Sequence, residues 1–140
     1  MNRYLLDTNI LAFLISGDID SISREVQEIL KDYSNLMYTN SIAVAELLQL
    51  YRINKLQTNL HKSALEIYKA IEDEFRIEIL PFSKQHLSIM LQLEIKEGHN
   101  DPFDHAIISQ AIAEKMALIS SDRQFVNYTL QNLNFVFNKR

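Results

Sequence analysis

The sequence predicts an α/β fold, and two observations carry that expectation. Short apolar runs of four to six residues alternate along the whole chain with longer segments whose apolar residues recur at helical spacing. That alternation is the signature of a parallel, doubly wound sheet with helices on both faces. The second observation is economy of connection. The 140 residues include only two Gly and two Pro, which leaves little room for long loops and points to one domain over 1–140. A chain of this size buries roughly two thirds of its unfolded surface.

The elements follow in order. "RYLLD" (3–7) is a short buried strand, and "TNILAFLIS" (8–16) a helix that Gly17 stops. "DSISREVQEILKDY" (20–33) places Ile22, Val26, Ile29 and Leu30 at helical spacing, with Asp20 or Ser21 as its cap. "LMYT" (36–39) is a strand; "SIAVAELLQLYRI" (41–53) is a helix with Ser41 near its start. "LHKSALEIYKAIEDEF" (60–75) repeats Leu65, Tyr68 and Ile71 on one helical face, and "RIEIL" (76–80) is a strand closed by Pro81. "SKQHLSIMLQLEIKE" (83–97) is a helix ending at Gly98. "PFDHAIISQAIAEK" (102–115) is a helix whose Pro102 sits at the first position, where the missing N–H costs nothing. "MALISS" (116–121) is a strand, "RQFVNYTL" (123–130) a short helix, and "NFVF" (134–137) the last strand.

Composition narrows the chemistry. Apolar residues make up 47% and charged residues 23%, as in ordinary soluble domains. Cysteine is absent, which excludes disulfides and thiolate metal sites and suits a reducing cytoplasm. The start, Met1-Asn2-Arg3 and then an apolar stretch holding Asp7, does not read as a signal peptide, and no uncharged run nears the ~20 residues of a membrane span. Net charge is −4, so any nucleic-acid contact needs a local basic surface or a metal bridge. Two glycines allow neither a P-loop nor a Gly-x-Gly-x-x-Gly turn. His61, His86, His99 and His105 have no paired spacing and read as surface or packing residues; His105 stands out only as the neighbour of Asp104.

Ligands of doubly wound sheets bind beyond the carboxyl ends of the strands, where strand order reverses. Asp7 ends the first strand and Asp122 follows "ALISS"; Asp104 lies in the first turn of the helix from Pro102; Glu46 sits between Ala45 and Leu47 in the most apolar part of its helix. Each has an ordinary explanation. Asp7, Asp101 and Asp122 can cap helices, Asp104 favours a helix dipole, and Glu46 can pair with a nearby cation. Jointly they read differently: three acids at strand-to-helix junctions of one sheet edge and a fourth on an apolar helix repel one another unless a cation joins them. Oxygen-rich sites of this kind suit Mg²⁺ or Mn²⁺, whose usual chemistry is phosphate ester hydrolysis.

"LLDTNIL", "SIAVAELLQL", "DPFDHAIISQA" and "LISSDRQFVNY", in that order over residues 4 to 128, resemble the successive motifs of PIN-domain ribonucleases, in particular VapC-type toxins of bacterial toxin–antitoxin modules. The resemblance implies a three-layer α/β/α fold with a central parallel sheet and a metal-dependent endoribonuclease. By motif it makes Asp7, Glu46, Asp104 and Asp122 the catalytic, metal-binding quartet for one or two Mg²⁺ or Mn²⁺ ions. Asn9 and Ser120 support the site, and Asp101 is an outer residue. It further implies an RNA substrate, a small antitoxin whose basic side chain reaches the acidic pocket, and a homodimer. Exposed cations concentrate in "YRINKLQTNLHK", so RNA is expected to enter near Arg52, Lys55 and Lys62. His105 departs from the Arg or Ala common in relatives, which bears on substrate contacts and not on the ligands. Two other readings stay open at this point. One is another metal-dependent phosphoesterase; an aspartyl-nucleophile phosphatase wants a second Asp where this chain has Asn9. The other is a silent PIN-like module that only binds RNA or protein, for which a set of self-repelling carboxylates has no use.

Overall fold

The computed structural model describes residues 2–140. Five strands form one sheet, β1 (Arg3–Leu6), β2 (Leu36–Asn40), β3 (Ile77–Leu80), β4 (Ala117–Ser120) and β5 (Asn134–Phe137), in the order β3-β2-β1-β4-β5. Every pairing is parallel; Leu6 pairs with Ile119 and Leu5 with both Tyr38 and Leu118. Six α-helices, α1 (Thr8–Ser16), α2 (Arg24–Lys31), α3 (Ser41–Arg52), α4 (Ala64–Asp73), α5 (Lys84–Gln92) and α6 (Pro102–Glu114), complete a three-layer α/β/α architecture, with 3₁₀ segments at Ile19–Ser21 and Arg123–Gln131. The chain builds β1, β2 and β3 outward in one direction and then returns to place β4 on the other side of β1. Strand order therefore reverses at β1, the position at which such sheets open a crevice.

Burial follows from this arrangement. β1 and β4 are central and covered on both faces, so Leu5, Leu6, Leu118 and Ile119 are inaccessible to solvent. Ile10, Leu11 and Ile15 of α1, Leu47 of α3, and Ile107, Ile108 and Ala111 of α6 complete the core around them. Gly17 ends α1 with φ of 75°, the left-handed conformation that a residue without Cβ enters freely, and its N–H closes on the Leu14 carbonyl.

Three boundaries differ from the sequence expectation, each for a local reason. The helix expected from residue 20 begins at Arg24, because Ser23, rather than Asp20 or Ser21, caps it by accepting the Val26 N–H; Ile19–Ser21 forms a separate 3₁₀ turn. The helix expected from residue 60 begins at Ala64, capped by Ser63 through the Glu66 N–H. The helix expected to reach residue 97 stops at Gln92. There the Gln131 side chain accepts the Glu94 N–H at 2.8 Å and donates to the Glu94 carbonyl at 3.0 Å, replacing the helical bonds with a tertiary pair.

The end of the chain is fastened to the same edge. Asn138 is fully buried; its Oδ1 accepts the Ser23 N–H at 2.7 Å, and its Nδ2 donates to the Ser21 carbonyl and to Ser121 Oγ, both at 2.8 Å. Stranding such partners costs about 1–3 kcal/mol. Asn138→Ala is expected to lower stability in a urea titration by about 2 kcal/mol, whereas a loss below about 0.5 kcal/mol, the scale of a neutral surface change, would mean that the amide fastens nothing.

Candidate metal centre

Each acid reaches the carboxyl edge on a different element. Asp7 directly follows β1, and its N–H extends the ladder to Ile119 O at 3.1 Å. It also caps α1: its Oδ1 accepts the Thr8 N–H at 2.8 Å. Its Oδ2 accepts the Ser120 hydroxyl at 2.6 Å and the Asn9 amide at 3.3 Å. Asn9 bridges further, donating to Ser120 Oγ at 3.2 Å and accepting the Ser121 N–H at 3.2 Å. Ser120 Oγ in turn accepts the Asp122 N–H at 3.0 Å. The ends of β1 and β4 are thus tied by one polar network, in which Asn9 and Ser120 both donate to Asp7 Oδ2.

Asp122 caps the final 3₁₀ segment through the Gln124 N–H at 2.9 Å. Asp101 caps α6 through the Phe103 N–H at 2.9 Å and is exposed. Asp104 is the third residue of α6, half-buried. It does not stand at a strand-to-helix junction as expected, because α6 follows the irregular segment after α5. Glu46 is half-buried on α3 and has no ion-pair partner among the described residues.

Two groups share Asp104. Asp7, Glu46 and Asp104 line one small pocket together with Asn40 and Phe103. Asp104 and Asp122 belong to a second group with His99, in which one ligand atom from each lies within 4.8 Å of the others. The quartet therefore converges through Asp104, while Asp101 lies at the rim as another helix cap. Arg52, Lys55 and Lys62 are exposed. Arg52 ends α3, and Lys55 and Lys62 lie on the connection to α4; about 9 Å of helix rise separates Arg52 from Glu46.

The electrostatics follow from this crowding. Burial raises the Asp7 carboxyl to about 7; the Ser120 and Thr8 hydrogen bonds oppose the rise, and the Asp104 and Glu46 charges add to it. Asp104 is also raised, first by burial, with Asp101 and Asp122 adding to the effect and the His99 contact opposing it. Four carboxylates in this setting are an acceptor-only donor set of hard oxygens short of positive charge, which is what a divalent cation of the Mg²⁺ or Mn²⁺ type fits.

Two contributors escaped the sequence reading. Asn40 is fully buried; it caps α3 through the Ala43 N–H at 2.7 Å and donates to Gln110 Oε1 at 3.2 Å. Its placement before Ser41 was a readable signal, since Asn is a preferred cap. His99 had no local signal. Its Nε2 lies 2.9 Å from Asp104 Oδ2 across a helix start, and its ring is buried. His105, adjacent to Asp104 in sequence, turns inward instead: its Nε2 donates to the His99 carbonyl at 2.8 Å. None of the four histidines is a surface residue; all are buried.

A parallel α/β sheet with acidic residues gathered at its switch point defines an acid-edged α/β domain, and the comparisons with known proteins make this specific. The PIN domain model matches residues 4–129, and the chain belongs to the PIN domain family. Its fold is similar to that of VapBC2 from Rickettsia felis bound to a DNA fragment from its promoter, with 24% identity, a TM-score of 0.68, and coverage of 98% of this chain and 99% of that one. It is also similar to DNA-bound VapBC from Salmonella typhimurium (18%, TM-score 0.66, 98% of each chain). A third is VapBC-5 from Mycobacterium tuberculosis, a member of the VapBC family of toxin–antitoxin systems (15%, TM-score 0.61, 100% of each chain). Among curated proteins, none matches the chain. No helix among the described residues is long and apolar enough to cross a membrane.

The raised Asp7 carboxyl has a signed consequence. A carboxyl whose folded value lies above the unfolded 3.8 binds more protons folded than unfolded between the two, so its contribution to stability is full below about 4 and is lost as pH rises to about 7. In EDTA, wild-type stability minus Asp7→Asn stability is expected to fall by up to about 4 kcal/mol between pH 4 and pH 8 and to be level above that. Paired thermal melts check this; a difference independent of pH would contradict a buried, charge-crowded Asp7.

Proposed function

We propose that this protein is a metal-dependent endoribonuclease and the toxin of a toxin–antitoxin pair, in the manner of VapC-type PIN proteins. The observation that carries the reading is the convergence of Asp7, Glu46, Asp104 and Asp122 at the switch point of the sheet, with Asp104 common to both groups of acids. Membership of the PIN family and similarity to toxin–antitoxin structures support it. A silent binding module gains nothing from burying Asp7 at this cost in stability, and Asn9 holds Asp7 by a hydrogen bond where a phosphatase of the aspartyl type wants a second acid.

The carboxylates of Asp7, Glu46, Asp104 and Asp122 are the groups that would hold one or two Mg²⁺ or Mn²⁺ ions. Bound there, such an ion supplies a nucleophile at neutral pH and neutralises charge on the phosphate and leaving oxygen. The chain itself keeps the ligands in place. Ser120 fixes Asp7 from the neighbouring strand end and Asn9 from the first turn of α1, the Gln124 N–H fixes one oxygen of Asp122, and α6 presents Asp104 from its first turn. Phe103, 54% exposed beside Asp104, offers an apolar face next to the acids against which a base can stack. The exposed cations Arg52, Lys55 and Lys62 are the phosphate-binding path, which an acidic chain needs.

The same chemistry defines the partners. A small antitoxin inhibits by placing a basic side chain among the four acids. A second copy of the chain covers α5, where Leu87 and Leu91 stand one turn apart and Leu91 is 88% exposed. RNA as substrate places the working protein in the cytoplasm.

Purified protein is expected to cleave total RNA or a tRNA pool with Mg²⁺ or Mn²⁺ and to stop in EDTA. Asp104→Asn is expected to lose more activity than the roughly 100-fold that removing an outer hydrogen-bond partner costs. Metal-independent cleavage, or an active Asp104→Asn, would sink the proposal. Replacing Arg52, Lys55 and Lys62 together by Glu is expected to weaken RNA binding and to reduce the slope of log K against log salt by about 2; an unchanged slope moves the RNA path elsewhere.

A further inference from the structure

A buried imidazole abuts the acids, and its protonation pattern can be read from the atoms around it. His99 has a side chain only 4% exposed, wedged edge-on against His105 and Tyr128. Its carbonyl oxygen, which can only accept, lies 2.8 Å from His105 Nε2, so His105 carries its proton there and donates. The Lys96 N–H donates to Tyr128 Oη at 3.2 Å. The phenolic proton of Tyr128 then has two nitrogens within reach. One is His105 Nε2 at 3.5 Å, already a donor; the other is His99 Nδ1 at 2.9 Å. Tyr128 therefore donates to His99 Nδ1. A doubly protonated ring would leave the phenolic proton with no acceptor in a buried site, which is costly. The His99 proton thus sits on Nε2 and is donated to Asp104 Oδ2 at 2.9 Å.

The outcome is a directed chain from the Lys96 N–H through Tyr128 and His99 to Asp104. It decides between two roles for His99. One of its ring nitrogens lies within 4.8 Å of ligand atoms on Asp104 and Asp122, and Nε2 is the one that faces Asp104, close enough to suggest an imidazole ligand. Yet the lone pair that coordination needs is replaced there by a proton that Tyr128 holds in place from the far side of the ring. We infer that His99 is a positioning residue, not a metal ligand: the Tyr128–His99 relay fixes the rotation of the Asp104 carboxylate and so presents it to the cation. This rests on the metal-dependent reading of the quartet. It also accounts for Tyr128, whose ring is fully buried in the core and whose hydroxyl ends at the site.

The test uses the full chain and Mn²⁺ alone as probe. Bound Mn²⁺ is counted by loss of the free-ion EPR signal for wild type, His99→Gln, Tyr128→Phe, the double variant and Asp104→Asn. Pulsed EPR of the wild-type complex reads any directly coordinated nitrogen, and RNA cleavage gives kcat and KM separately. His99→Gln and Tyr128→Phe are expected to weaken Mn²⁺ binding about 10- to 100-fold and to lower kcat with KM for RNA unchanged. The double variant is expected to be no worse than His99→Gln, because the two residues act in series. No coordinated nitrogen is expected in the wild type. Wild-type affinity in both single variants, beside lost affinity in Asp104→Asn, overturns the relay and leaves His99 a packing residue. A coordinated nitrogen overturns it in favour of a ligand. If wild type binds no Mn²⁺ at millimolar concentration, the metal-dependent reading itself has failed and the inference falls with it. Should His99→Gln not fold, Tyr128→Phe, which loses a single oxygen, and the wild-type spectrum still decide.

Discussion

The burial of one carboxyl at the end of the central strand is the constraint on which the rest of the site depends. Asp7 has nowhere else to go: its N–H continues the β1–β4 ladder, and its Oδ1 caps α1. The sheet therefore holds the group rigidly and almost out of water, and burial raises it to about 7. Ser120, Asn9 and the Thr8 N–H moderate that rise without cancelling it, and Asp104 and Glu46 work against them. A fold that only needed a cap at this position would be served by Asn at no electrostatic cost. Keeping an acid there, surrounded by other acids, makes sense where a cation joins them.

From this constraint the roles of neighbouring elements follow. β4 contributes Ser120 and then Asp122 because it lies directly beside β1 in the sheet. α3 brings Glu46 to the same pocket from a helix whose start Asn40 pins against Gln110 of α6. α6 contributes Asp104 from its first turn, where the helix dipole favours the charged form even as burial opposes it. Asn138 holds the return of the chain against Ser121, next to the same strand end. Most of the polar groups buried in this region are spent on keeping two strand ends and two helix starts in register.

Much of this was legible in the sequence, and the limits of legibility have physical causes. The strands and the helix starts at Thr8, Ser41 and Pro102 could be read because local signals and tertiary outcome agree there: short apolar runs, a polar residue at the turn, and Pro at a first helical position. The end of α5 could not, because Leu93–Glu97 looks helical by itself and is held out of the helix by Gln131 and Tyr128, far along the chain. The acids could be read as a set, since strand ends bring them to one edge whatever the details. His99 could not, because its place beside Asp104 depends on how the loop before α6 folds back onto Tyr128, a contact with no sequence period. His105, the neighbour in sequence, was the natural suspect, and helix geometry turns it the other way.

On the proposed function, Asp7 and its neighbouring acids form one electrostatically coupled site that a divalent cation discharges. Calorimetric titration of Mn²⁺ in two buffers of different ionisation enthalpy tests it directly, because the difference in apparent heat counts the protons released. With the Asp7 carboxyl near 7 in the free protein, binding at pH 6.5 is expected to release somewhat less than about one proton per site, and at pH 9 close to none. Asp7→Asn is expected to abolish most of the release. Mn²⁺ binding with no buffer-dependent heat at pH 6.5, or the same release from wild type and Asp7→Asn, would contradict the claim.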